Sequence, residues 1–228
     1  MRACALALVL TTVLVAGCGG SKSSAPSNGE ASEPARQVFA DAKAAALSAS
    51  SGHVAGNVNY QGTPITLDLT TVRGKGGTGT MSENGLKFDL VRVGDTVYIR
   101  GSDAFYKHFA GAAVAQLLHG KWLKAPADHG RLKSLAPFTN LASLFAAIGS
   151  YHGKLTNDGK TTFQGQQVVA IRDSANGKLY VAATGKPYPV AIVGGAKGAS
   201  GTITFGDWNK SVSLSAPSDA IDISQFGG

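Results

Sequence analysis

One side chain in this sequence stands apart as a nucleophile, the thiol of Cys18. The 228 residues hold two cysteines, Cys4 and Cys18. A thiolate attacks electrophiles and binds metals, and its position decides which chemistry applies. Met1-Arg2 is a short positive start, Ala3 to Val15 is an apolar run broken only by Thr11 and Thr12, and the small pair Ala16-Gly17 leads into Cys18. This is the layout of an export signal, too short to span a membrane. Cys4 lies inside the leader and is lost with it. The mature chain then has one thiol and cannot close an internal disulfide, so Cys18 needs another role.

The other residues of chemical type do not assemble into a motif. Gly74, Gly76 and Gly79 spell G-x-G-x-x-G. A dinucleotide site needs a strand before such glycines and a helix after them. Here Thr80-Met81-Ser82 runs into a turn signal at Asn84-Gly85, so the glycines read as a flexible turn and strand edge. Gly198-Ala199-Ser200-Gly201 is near a nucleophile elbow, but the spacing fails because residue 202 is Thr. His53, His108, His119, His129 and His152 are scattered, with no H-E-x-x-H and no cysteine partner. Acids such as Asp89, Asp95 and Asp103 fall in strand or turn context, with no near pair that suggests a catalytic dyad. No catalytic residue, metal ligand or cofactor is expected.

These residues sit in a chain built for strands. Charged residues are 15% of the total and glycine numbers 30; charge in a typical domain is about 25%. Without a leader and tether, roughly 195 residues remain, enough for one core. Gly19 to Ser32 is Gly, Ser, Ala, Pro and polar, without apolar periodicity, and reads as a flexible tether. Val38, Phe39, Ala42, Ala45, Ala46 and Leu47 then recur at helical spacing over 34–50. From Gly52 the period becomes two: Val54, Val58 and Tyr60, then Ile65, Leu67 and Leu69, then Leu86, Phe88 and Leu90 after Asn84-Gly85, then Val97 and Ile99 after Gly94-Asp95. That gives about five antiparallel strands. Ser102 is placed to cap a helix holding Phe105, Phe109, Ala112, Ala113 and Leu117. A second helix is expected near 139–149 with Leu141, Leu144, Phe145 and Ile148. Strands resume at Thr162 to Arg172, Lys178 to Ala183, Pro189 to Val193, Thr202 to Phe205 and Val212 to Leu214. The sum is an α+β domain: a long meandering antiparallel sheet, curled by its own twist, with helices on one face.

Two groups of residues have both a functional and a bland reading. Lys121, Lys124, Arg131 and Lys133 surround Trp122. Trp and Lys together suit a membrane–water boundary; they equally suit a solvated loop whose Trp packs inward, with Trp-Leu-Lys as a short strand. Phe88, Leu90, Phe105, Phe109, Leu117, Leu141, Leu144, Phe145 and Ile148 could form plain core, or line a cavity for acyl chains, which needs only apolar walls. The net charge of +7 comes without a long basic run or zinc-finger spacing, which argues against nucleic acid and for an anionic membrane surface.

Val15-Ala16-Gly17-Cys18 resembles the lipobox of bacterial lipoproteins: a branched apolar residue, two small ones and the cysteine. The resemblance implies residues 1–17 as signal peptide, a diacylglyceryl group on Cys18, a tether over 18–32, and one domain over 33–228 anchored outside the cytoplasm. The strands agree. Phe88-Asp89-Leu90-Val91-Arg92-Val93-Gly94-Asp95-Thr96-Val97-Tyr98, Gly165-Gln166-Gln167-Val168-Val169-Ala170-Ile171, Leu179 to Gly185, Pro189 to Ile192, and Phe205-Gly206-Asp207-Trp208-Asn209 running to Ser215-Ala216-Pro217 resemble hairpins of the mycobacterial lipid-binding lipoproteins of the LppX/LprG type. The resemblance covers residues 34–224 and rests on turn and strand signatures. It implies a half-barrel with helices over its concave face, similar also to the carriers LolA and LolB, enclosing an apolar cavity. It implies a role in carrying or presenting acylated lipids or glycolipids in the cell envelope, with a lipid exporter as a candidate partner. A surface lipoprotein with a structural or adhesive role and a filled core is the alternative; a hydrolase with a spatial Ser-His-Asp triad has no support in the sequence. Gly194-Gly195-Ala196-Lys197-Gly198 departs from the family pattern where a lid would connect.

Overall fold

The computed structural model describes residues 25–130, 133, 135–143, 153–194 and 199–224. Helix α1 (Ala35–Ser48) buries Ala35, Val38, Ala42, Ala45 and Ala46, one stripe at three- and four-residue spacing. Alanines on that stripe let the helix lie close to the sheet. The next three elements are hairpin-linked strands, β1 (Ser51–Tyr60), β2 (Thr63–Val72) and β3 (Gly76–Glu83), followed by β4 (Leu86–Val93) and β5 (Thr96–Gly101). Asn84 and Gly85 turn the chain between β3 and β4 with φ of 50° and 78°, the left-handed pair that a tight hairpin demands.

After β5 come α2 (Asp103–Ala110), α3 (Ala112–Leu118) and the short β6 (Leu123–Pro126). A single turn of 3-10 helix at Ala136–Thr139 follows, packed on β2 to β4. The second run of strands is β7 (Thr156–Phe163), β8 (Gln166–Arg172), β9 (Lys178–Ala182), β10 (Pro189–Val193), β11 (Ala199–Gly206) and β12 (Ile221–Asp222). All twelve lie in one sheet in the order β12-β6-β5-β4-β3-β2-β1-β11-β10-β9-β8-β7. Neighbours are antiparallel, except that β12 runs parallel to β6. The sheet is curled and its two edges, β12 and β7, do not meet. The α+β half-barrel expected from the sequence is therefore present.

The register builds one apolar belt. Phe88, Met81, Leu67, Gly56, Ile203, Ile192, Leu179 and Ile171 stand side by side across β4, β3, β2, β1, β11, β10, β9 and β8. A second row, Leu90, Gly79, Leu69, Val54 and Phe205, runs beside it. The side chains of both rows join the core cluster that includes Val38, Ala42 and Ala46 of α1, so these rows form the inner wall. The outer face carries cross-strand ion pairs, Arg100 with Asp89 and Arg172 with Asp158.

The structure departs from the sequence expectation in four places. Thr162 to Arg172 is two strands, split by Gln164 and Gly165 at φ of 47° and 82°. Val212 to Leu214 alternates in burial but is no strand; the chain instead adds β12 at the β6 edge. Gly79 lies within β3, between two neighbours, and not at an edge; a Cβ there would stand 2.0 Å from the Asp68 carbonyl oxygen, so only glycine admits that approach. The tether does not extend to residue 32: Asn28 donates to the Ala182 and Ala183 carbonyls, Ser27 bridges Thr184, and Asn157 Nδ2 donates to the carbonyls of Glu30, Ala31 and Glu33. Of the helix expected at 139–149, residues 139–143 are described: Thr139 ends the 3-10 turn, 141–143 are helical, and the rest lies outside the described residues.

Candidate functional site

The site is the helix pair α2–α3 where it crosses β4 and β5. Ser102 starts it as expected, its Oγ accepting from the Phe105 N–H at 3.2 Å. Asp103 lies in the first turn of α2, Lys107 and His108 in the last, which suits the helix dipole. Gly111, at φ 84°, ends α2 and opens α3. The pair is pinned twice. Tyr106 points inward, where its hydroxyl accepts from the Gly101 N–H at 2.9 Å and donates to the Lys121 carbonyl at 3.0 Å. His119 Nδ1 and Asp103 Oδ1 lie 2.7 Å apart and join the end of α3 to the start of α2. Burial pushes the Tyr106 hydroxyl above the ordinary phenol range.

Gly101 sits directly under the ring of Phe105: a Cβ at that position would lie 2.4 Å from it. The ring thus presses onto the strand beside Phe88. The centroids of Phe88 and Phe105 are 5.2 Å apart, and those of Phe105 and Phe109 are 4.7 Å apart, both tilted contacts. The three rings form a stair from the inner wall to solvent. Phe88 is buried, Phe105 half-buried, and Phe109 is 51% exposed.

The expected cavity-lining residues separate into three groups. Phe88, Leu90 and Leu141 are buried, and Phe105 is packed against the core. Phe109 and Leu117 are exposed, Leu117 at 76%. The short helices turn only one side toward the sheet, and Tyr106 and Ala115 take it. Leu144, Phe145 and Ile148 lie outside the described residues. So do Cys18 and Arg131.

The basic–aromatic segment is also divided. Lys121 is exposed beside α3. Leu123 and Ala125 are buried, so the alternation of β6 places Trp122 and Lys124 on the outer face. There the Arg100 guanidinium stands 4.8 Å over the Trp122 ring while donating to Asp89 from Nε and Nη2. Trp122 is thereby a half-buried part of the outer wall. Lys133 is exposed. Sequence reasoning missed Val114 and Lys107 as members of this surface. The available signal was that apolar residues of α2 and α3 cover more than one face of each helix.

At the opposite ends of β4 and β5 lies a cleft of about 230 Å³. Arg73, Lys75, Arg92 and Asp95 line it together with Leu47, and of the residues expected around a lipid it includes Leu141. Its polar rim differs from the apolar stair. Among the described residues no group of three or more His, Cys, Asp or Glu is placed to hold a metal, and no helix is long and apolar enough to cross a membrane.

No protein-family model matches the chain, and no curated protein matches it. In fold the chain is similar to LprF from Mycobacterium bovis. The likeness has a TM-score of 0.54 at 15% identity and covers 85% of this chain and 99% of LprF. The Mycobacterium tuberculosis lipoprotein LppX aligns with a TM-score of 0.45 at 15% identity, over 79% of this chain and 99% of its own. A LolA-superfamily protein from Nitrosomonas europaea gives 0.28 at 11%, over 77% and 93%. The resemblance to mycobacterial lipoproteins read from the strands is thus present in the fold, carried by LprF.

Proposed function

We propose that this protein is an extracytoplasmic lipoprotein, anchored through a diacylglyceryl group on Cys18, that binds acylated lipids or glycolipids and carries or presents them within the envelope. The observation that carries this reading is the ring stair Phe88–Phe105–Phe109, which runs from the inner wall of an open half-barrel to solvent. The LprF-like fold and the lipobox support it. Acyl chains leaving a bilayer would pass along the stair and regain apolar surroundings at about 0.8 kcal/mol per methylene. Similar energies in bilayer and protein permit both loading and release. Lipids or glycolipids of the membrane are the ligand, and a lipid exporter is a partner that this role would require. No chemical step is involved.

Uptake of a fluorescent fatty-acyl phospholipid by the full chain tests the reading. Phe105→Asp puts a charge in the middle of the stair, and uptake should fall at least tenfold while Phe205→Tyr, elsewhere on the inner wall, retains it. Equal uptake by both variants would sink the proposal. Cys18→Ala should release the protein from membranes, and persistent lipid labelling of that variant would refute the anchor. The second reading, a structural or adhesive lipoprotein, draws on the full burial of Leu69, Leu90 and Leu179, which describes a filled wall. It requires that no lipid be taken up at all.

A further inference from the structure

We infer that α2–α3 is the face by which the protein docks on an anionic bilayer surface, an inference that rests on the lipid-carrier reading. Five large apolar side chains are exposed among the described residues, and three of them, Phe109, Val114 and Leu117, fall within nine consecutive positions. Exposed apolar side chains gathered in this way mark an interaction surface. Between them the chain offers Ala110, Ala112 and Ala113, all exposed. The turn between the helices is held by its own backbone, the Gly111 N–H donating to the Lys107 carbonyl and the Ala115 N–H to the Gly111 carbonyl. Each backbone group bonded in this way is one fewer to desolvate when the surface meets an apolar phase.

Charge identifies the occupant. Lys107 and Lys121 are exposed at the borders of the patch, and the acid on α2, Asp103, is already paired with His119. A cationic rim around an apolar centre complements acidic headgroups around acyl chains. The same rim opposes a second copy of this chain, because Lys107 and Lys121 would meet their own equivalents. The hairpin is also stiff: Tyr106 and the Asp103–His119 contact fix it at both ends. Little order is lost when it lands. Trp122, turned to the outer wall under Arg100, leaves the hairpin to do the inserting.

The test uses the full chain carrying Cys18→Ser, so that no acyl anchor forms. It is compared with the same chain bearing Val114→Ser and Leu117→Ser, which lie off the ring stair. Both share one leader, so the ratio of their vesicle binding reads the hairpin. In sedimentation with 3:1 phosphatidylcholine–phosphatidylglycerol vesicles, the serine variant should bind at least tenfold more weakly. Lys107→Glu with Lys121→Glu should bind these vesicles several-fold more weakly and lose most of the salt dependence, with binding to pure phosphatidylcholine unchanged. Equal sedimentation of the serine variant and its parent overturns the docking role. So does a parent that is dimeric in solution and becomes monomeric on serine substitution without change in vesicle binding. Copurified lipid is measured on the same samples. Retained lipid with lost vesicle binding supports docking, and lipid-free protein that still docks through Val114 and Leu117 leaves docking standing while the carrier reading fails.

Discussion

The Tyr106 hydroxyl donates a 3.0 Å hydrogen bond to the carbonyl of Lys121, fifteen residues further along the chain. The same oxygen accepts from the buried Gly101 N–H. One phenol thereby ties the end of β5, the helix α2 and the approach to β6, and it sets the angle at which the apolar hairpin leaves the sheet.

Tyr106→Phe should cost about 1–3 kcal/mol, because a buried N–H and a carbonyl lose their partner while the ring still packs. Urea denaturation reads this as a lower midpoint at unchanged slope. The sign with pH also follows. Burial raises the folded-state pKa of this phenol, so its contribution is complete below the ordinary tyrosine range and declines as pH rises from that range toward the raised value. The Phe variant should lack that alkaline component. Equal midpoints for the two proteins would mean that the hydroxyl is not bridging.

Glu30 predicts the opposite effect at the other end of the sheet. It is buried, and its Oε2 has no hydrogen-bond partner among the described residues. Burial raises its carboxyl pKa, and Asp41 and Glu33 push the same way. An ionised Glu30 therefore opposes folding at neutral pH, and that penalty is relieved as pH falls through the raised value toward the ordinary carboxylate range. Glu30→Gln should raise the melting temperature at pH 7, and the gain should shrink under acidic conditions. A melting temperature that falls at pH 7 would contradict the placement.

Leu179 and Leu117 are the same side chain in opposite situations. Leu179 is fully buried in the belt and Leu117 is 76% exposed. Leu179→Ala should cost about 2–5 kcal/mol. Leu117→Ala should stay within about 0.5 kcal/mol. Chemical denaturation of both variants checks which faces of the sheet and hairpin are inward. A large loss at Leu117 would return it to the core.

The parts of the fold that the sequence made legible are those where a local residue type has one geometric use. Asn84-Gly85 announced a left-handed turn, Ser102 a helix cap, and Pro189 to Val193 a strand with those bounds. Gln164 hid a turn because glutamine seldom adopts φ of 47°. Ser27 to Ser32 looked like linker because its hold on the domain runs through backbone groups, the single side chain of Asn28, and Asn157 from across the sheet, which composition does not record. For the candidate site, helical periodicity marked Phe105, Phe109 and Leu117 as belonging together but not which side faces the sheet. That choice came from Tyr106, a polar-tipped ring that needed two buried partners and found them at Gly101 and Lys121. Lys121, Trp122 and Lys124 read as one patch, but Trp122 and Lys124 stand on the outer face while Lys121 lies beside α3 ahead of β6.

The most direct measurement is native mass spectrometry of the full chain, purified from a related host, with lipid extraction from the same sample. The account predicts a stoichiometric mass increment that survives purification, resolves on extraction to acylated lipid or glycolipid, and diminishes in Phe105→Asp. A clean protein mass, with no increment after incubation with phospholipid or glycolipid vesicles, would contradict it.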